Sequence, residues 1–403
     1  MEEAETVWQK TKTLWNSATN VAATSSTALT DGALVLVRRV QGSAGARPTW
    51  TVPFEMAITT LRAAAKTVAR DVQTIRMITD NALPRVLLPA GVSYQTAALG
   101  PGMPDGEWFW PTGSPTTHRT ILFLHGGAFC TCSSSTHRNL LGLLVQYTKS
   151  TVLAVDYRRP PENPFPAPLE DAAAAYEWLL QRMPTNRIVI AGDSAGGGLG
   201  LTLMVALKKA GRPLPGGAVL LSPWVELKDT YRDSWTRNAG YDFLDSGLAT
   251  YFARAYAGGQ DMDHPKLSPV NADLTGLPPI HIEVGECEML LDQVFILANR
   301  LSKAAVDVRL VVAEDMVHVF PMFTFAFPTP MEDGEPTSEP FRAFERIRDF
   351  LDNIIPASCP STIKPSEFID LTFEEWHDSE RDAEDCIRAA SPLTPMDTFD
   401  PKA

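Results

Sequence analysis

From about Arg85 to Ile355 the chain alternates between short apolar runs and longer amphipathic stretches. The runs are "TILFLH", "STVLAVDY", "RIVIAG", "GAVLLSP", "PIHIEVG" and "VRLVVAE", and between several of them lie helix-length segments such as "PLEDAAAAYEWLLQRM" and "DQVFILANRLSKAA". Each run is apolar nearly throughout. A strand of that kind is buried on both faces, so the pattern predicts an α/β fold with a mostly parallel sheet covered by helices on either side. One connection, roughly 225–277, is aromatic-rich and too long for a simple crossover. The helix "EPFRAFERIRDFLDNI" closes this region and is stopped by Pro356.

Upstream, residues 1–84 read as helices joined by polar linkers such as "QGSAGARP". Between Phe54 and Ile78 the residues Ile58, Leu61, Ala65, Val68, Val72 and Ile75 recur three and four apart, which predicts one amphipathic helix. Arg62, Lys66 and Arg70 fall on its opposite side. Such a helix packs over a larger core; the competing expectation is peripheral contact of its basic face with a membrane surface. Three divisions follow: 1–84, 85–355, and an acidic tail over 356–403. The tail forms one short helix near "LTFEEWHDSERDAEDCIRAA" or is disordered.

Composition narrows the function. With 44% hydrophobic and 21% charged residues the chain is that of an ordinary soluble enzyme. A net charge of -13 disfavours a nucleic-acid partner, which requires a basic surface. The tail carries 11 acids against 4 bases, about half of that excess. Five scattered cysteines show neither zinc spacing nor a disulfide framework, and "MEEAETVWQK" is acidic where a secretory signal is basic. No run is long and apolar enough to span a bilayer. The expectation is a cytoplasmic protein that uses no cofactor or metal.

The chemistry sits at strand ends. "RIVIAGDSAGGGLG" holds a G-x-S-x-G at Gly192–Gly196, entered from an apolar strand and followed by a small-residue helix. That context predicts a nucleophile elbow with Ser194 lifted at the end of the sheet. A phosphate-binding glycine turn is the competing reading, but no G-x-G-x-x-G and no P-loop lysine accompany it. "ILFLHGGAF" ends another strand in paired glycines; the N–H groups of Gly126, Gly127 and Ala195 are expected to hold an oxyanion. His125 then shapes this loop. His318, just past the last strand-like run, stands where the order Ser, acid, His places the base. The acid comes from "HIEVGECEMLLDQ". Glu283 lies in the strand and Glu286 comes too early in the turn. Glu288, three residues after Gly285, is favoured over Asp292 on the first turn of the next helix.

As a set, "HGGAF", "DYRRPPENPFPAPLED", "GDSAGG", "LSPVNADLTGLPP" and "MVHVF" resemble the hormone-sensitive lipase family of α/β hydrolases over roughly residues 105–355, and the likeness is nearer to fungal-type members. The resemblance implies a cofactor-free serine esterase or lipase, with a cap built from the N-terminal helices and the insertion. Two departures stand out. Glu288 occupies a slot where the family usually has Asp, and "CTCSSSTHRN" lacks the glycine expected after the oxyanion loop. The expected activity is hydrolysis of a small apolar ester. Amide hydrolysis or acyl transfer by the same triad is one alternative, and a binding protein on a hydrolase scaffold is another. The insertion aromatics Trp235, Tyr241, Phe243, Phe252 and Tyr256 fit either an apolar substrate site or the core of the cap.

Overall fold

All six apolar runs form strands in the computed structural model, which describes residues 26–68, 70–81, 88–113, 118–228, 232–329 and 338–356. They are β3 (Thr120–Leu124), β4 (Thr151–Asp156), β5 (Ile188–Asp193), β6 (Gly217–Leu221), β7 (Ile280–Gly285) and β8 (Val308–Ala313), every neighbouring pair parallel. Two further strands, β1 (Val92–Ala97) and β2 (Asp105–Pro111), add an antiparallel edge that the sequence pattern did not disclose. The eight-stranded order is β1-β2-β4-β3-β5-β6-β7-β8. The acidic tail beyond residue 356 lies outside the described residues.

Side chains alternate along each strand, and both faces are covered over β3 to β7, whereas the edge strands β1 and β8 stay partly exposed. Leu122, Leu124, Ile190, Leu220 and Ile282 point into one core, beneath α5 (Ala167–Leu180), α6 (Ser194–Lys209) and α9 (Leu291–Lys303). Ile121, Phe123, Val189, Ala191 and Leu221 point into the other, beneath α4 (Arg138–Thr148) and α10 (Glu339–Ile354). This is why the runs carry no polar alternation: each face removes Leu- or Phe-sized side chains from water, about 2–3 kcal/mol apiece. Glu283 is the exception on β7. It is fully buried and bonded to His281 Nε2 at 2.8 Å and to Arg346 of α10 at 2.9 and 2.8 Å, so it ties sheet to helix.

The single helix expected over 54–78 is two. Helix α2 (Val52–Thr67) ends where Val68 turns extended, and α3 (Val72–Asn81) begins anew. The restart has a local cause: Asp71 Oδ2 accepts from Thr74 N at 2.9 Å and from Thr74 Oγ1 at 2.6 Å, satisfying a first-turn donor. Arg62, expected on an outward basic face, instead reaches inward. Its Nε donates to Asp242 O and its guanidinium N–H to Tyr241 O, both at 3.0 Å. The insertion contributes α7 (Asp233–Arg237) and α8 (Ser246–Ala257). Residues 26–40 form the helix α1 ahead of these elements.

Candidate active site

Strand β5 runs directly into α6, and Ser194 is the first residue of that helix. Its φ of 50° is in the left-handed region, the strained turn that lifts a nucleophile at the end of a central strand. The flanking glycines are required by contact. A Cβ on Gly196 would sit 1.9 Å from Leu124 O, and one on Gly192 2.6 Å from the same oxygen. Ser194 Oγ lies 2.8 Å from His318 Nε2, a hydrogen bond between β5–α6 and the loop after β8.

Behind the imidazole the structure brings up Glu288 and not Asp292. Glu288 Oε2 is 3.7 Å from His318 Nδ1, an ion-pair distance longer than a hydrogen bond, and the glutamate is fully buried. Ser222 Oγ donates to Glu288 Oε2 at 2.6 Å and accepts from Val319 N at 3.0 Å, so one hydroxyl joins Glu288 to the residue after His318. Asp292 is committed elsewhere: it accepts from Ser234 N at 2.9 Å and pairs with Arg237 at 3.1 Å. Burial depresses the His318 pKa, but the nearby Glu288, with Asp242 and Asp193 adding to it, outweighs that effect and raises it above the usual imidazole value.

A second buried carboxylate stands beside this pair, and the sequence reading missed it. Asp242, fully buried, accepts from His318 N (3.3 Å) and Phe243 N (2.8 Å) through Oδ1 and from Met289 N (2.7 Å) through Oδ2. Nearby, Asn238 Nδ2 donates to Glu286 O (3.1 Å) and Glu288 O (2.7 Å). Nothing in "RNAGYDFLD" marks these residues; only the fold of the insertion carries them to His318 and Glu288.

The oxyanion loop needs one correction. Gly126 N–H donates to Asp193 Oδ1 at 2.9 Å and is therefore occupied within the protein. Ala195 N–H, by contrast, lies in the first turn of α6, where backbone donors have no intrahelical acceptor. Gly127 adopts φ 101°, and Ala128 and Phe129 follow at 51° and 65°, so the loop coils tightly over the serine. Asp193 also faces the buried His137, whose Nε2 is 3.2 Å from Oδ1. Burial alone would raise the Asp193 pKa; His137 and the Gly126 N–H hold it below the usual carboxylate value. His125 does shape the loop: its Nδ1 is 2.7 Å from Gly126 O and its ring stacks on Tyr157 at 4.3 Å. The missing glycine also has its counterpart, because Cys132 holds φ 64°, a left-handed conformation that glycine adopts at no steric cost.

Of the five insertion aromatics, Trp235, Phe252 and Tyr256 are at most 4% exposed and serve as core. Phe243, partly buried, stands 5.8 Å from the His318 ring and is the one that borders the site. Among the described residues no helix is long and apolar enough to cross a membrane.

Comparison with known proteins agrees with this geometry. A family model described as alpha/beta hydrolase fold matches residues 121–322. An acetyl-hydrolase of Streptomyces hygroscopicus is 43% identical over 215 residues, 53% of this chain and 71% of the relative. Esterase LipU of Mycobacterium tuberculosis is 33% identical over 59% of this chain and 82% of its own. Both are bacterial, and neither supports the expected leaning toward fungal-type members. The crystal structure of an esterase from the bacterial hormone-sensitive lipase family superposes with a TM-score of 0.68 at 35% identity, covering 76% of this chain and 99% of that one. The elbow, the strand order and the sequence likeness converge, and the chain belongs to the hormone-sensitive lipase family of α/β hydrolases.

Proposed function

We propose that the protein hydrolyses carboxylic esters through Ser194, His318 and Glu288 by way of an acyl-enzyme. The observation that carries this is the 2.8 Å contact between Ser194 Oγ and His318 Nε2 at a strained elbow. In the first half-reaction His318 Nε2 takes the hydroxyl proton as Ser194 Oγ attacks the ester carbonyl carbon. The imidazolium so formed is stabilised by Glu288, and the proton passes to the departing alkoxide. In the second half, water loses a proton to His318, attacks the acyl carbon and releases the acid with Ser194 restored. Gly127 and Ala195 N–H groups receive the oxyanion in both steps, with Gly126 acting indirectly by anchoring the loop on Asp193. Removing one such donor typically costs on the order of 3 kcal/mol of barrier. The substrate class is a small apolar ester, in keeping with Phe243 at the site and with relatives named esterase and acetyl-hydrolase.

Purified protein is expected to turn over short-chain p-nitrophenyl esters and to be labelled by a fluorophosphonate at Ser194, with both signals abolished by Ser194→Ala. Absence of labelling together with absence of turnover rejects the hydrolase reading. Labelling with turnover only on amides, or only in the presence of an acceptor alcohol, replaces ester hydrolysis by the corresponding reaction of the same triad.

A further inference from the structure

The loop after β7 delivers Glu288 and the loop after β8 delivers His318, and the two loops bond directly where Cys287 N donates to Met316 O at 2.8 Å and Asp315 N to Glu286 Oε2 at 3.0 Å. Glu288 stands 3.7 Å from Nδ1. Asp242, which belongs to neither loop, adds a link one step nearer the imidazole. One of its oxygens accepts the backbone N–H of the base itself, and the other accepts that of Met289, the residue after the acid. A single carboxylate thus ties the backbone at His318 to that beside Glu288 from the insertion, in addition to the Ser222 hydroxyl that joins Glu288 to Val319.

Asp242 is in turn held from outside. Its carbonyl and that of Tyr241 both accept from Arg62 of α2 at 3.0 Å. A continuous line of hydrogen bonds therefore runs from α2 through the 241–242 backbone to the amides of His318 and Met289. We infer that Asp242 is a positioning residue of the triad: it sets the distance between Glu288 and His318, adds a second negative charge beside the imidazolium, and makes both depend on where α2 sits. This rests on the ester-hydrolase reading above and deepens it.

The electrostatics agree. The charged groups near His318 are Glu288 from the loop after β7, Asp193 at the end of β5, and Asp242. Those near Asp242 are His318, Glu288, Arg62 of α2 and the Cys287 thiol. Burial pushes the Asp242 carboxyl up to about 6, with His318 pulling it down and Glu288 raising it further. It is therefore ionised in the range where His318, itself raised, gives up its proton to become the base. Removing that charge leaves His318 easier to deprotonate.

Two readouts separate this role from mere packing. In Asp242→Asn the charge is lost and an acceptor oxygen becomes a donor facing a backbone N–H. We expect kcat on p-nitrophenyl acetate to fall about tenfold or more with KM nearly unchanged. We also expect the acid limb of the pH profile, read both as kcat/KM and as the rate of fluorophosphonate labelling of Ser194, to move down by roughly half a unit. A fall in kcat with no movement of the limb, or no fall at all, overturns the proposal. Should Asp242→Asn not accumulate as folded protein, Arg62→Gln decides: it leaves every triad side chain intact, and a kcat within twofold of the parent overturns the coupling to α2, whereas a several-fold fall at constant KM supports it. A parent protein that neither labels nor turns over ester would instead reject the hydrolase reading itself, a distinct result.

Discussion

At the scale of single residues the decisive quantity is the protonation state of His318. In the proposed mechanism neutral imidazole is the base, so activity is expected above its pKa and is lost as pH falls through it. Burial lowers that pKa, but Glu288 outweighs burial, which places the acid limb of kcat/KM above the ordinary imidazole value. Glu288→Gln removes the largest favourable contribution. The expected result is a kcat lower by about a hundredfold or more, with the acid limb moved toward lower pH and the fold retained. Asp292→Asn changes neither, because that carboxylate serves Ser234 and Arg237; the reverse outcome would reassign the acid. The glutamate's place beside His318 was legible in the sequence from its distance beyond Gly285. Its longer side chain is accommodated by Ser222 Oγ and the Gly285 N–H, which hold Oε2 at 2.6 and 3.3 Å. Asp242 was illegible for a physical reason: its partners are backbone amides 47 and 76 positions away, and no local pattern encodes such contacts.

At the scale of elements, a continuous apolar run marks a strand and a mixed one conceals it. Five of the six parallel strands announce themselves because helices cover both faces, and β8, as exposed as β1, does so because its run "VRLVVA" is apolar all the same. The edge strand β1 stays partly exposed along most of its length, and its "VSYQTA" reads like a loop. The break between α2 and α3 is hidden for a different reason. The apolar stripe continues in phase across it, while the Asp71 cap that restarts the helix is a local signal weaker than the periodicity. The β5–α6 elbow is the most tightly determined element. Since the Cβ of Gly196→Ala would lie 1.9 Å from Leu124 O and 2.5 Å from His125 O, both backbone atoms, the chain has to shift at the oxyanion loop as well as at the serine. A destabilisation of at least about 3 kcal/mol is expected in urea melts, with loss of Ser194 labelling in any folded fraction. A variant that labels normally at parental stability would show that the elbow tolerates more room than these contacts allow.

At the scale of the whole molecule, the N-terminal region does two jobs that its resemblance to a cap does not separate. Helix α3 packs with the insertion, Val72 and Ile75 meeting Phe252 and Cys130. The segment before α2 instead runs beneath the histidine loop. Arg47 Nε donates to Asp315 at 2.5 Å, Thr49 N and Oγ1 at 3.2 and 3.0 Å, and Trp50 Nε1 to Asp315 O at 2.6 Å, three residues before His318. Thr51 Oγ1 then bonds Ala326 O at 2.7 Å, and Phe54 packs on Phe323 and Phe327 beyond the base. His318 is therefore braced on both sides of its loop by a stretch some 270 positions earlier in the chain, and bracing that loop is part of holding Nε2 on Ser194. Trp50, 2% exposed, is the anchor, and Trp50→Ala is expected to cost about 3–5 kcal/mol of stability. The surviving native protein should also lose kcat at nearly constant KM, because the loop it frees carries the base while Phe243 and the oxyanion donors stay in place. Lys66→Ala, on an exposed turn of α2, should change stability by no more than about 0.5 kcal/mol and leave kcat alone. Thermal melts paired with steady-state kinetics on both variants decide the matter. If Trp50→Ala lowers the melting temperature but the folded enzyme keeps its full kcat, the N-terminal segment stabilises the hydrolase without positioning its base.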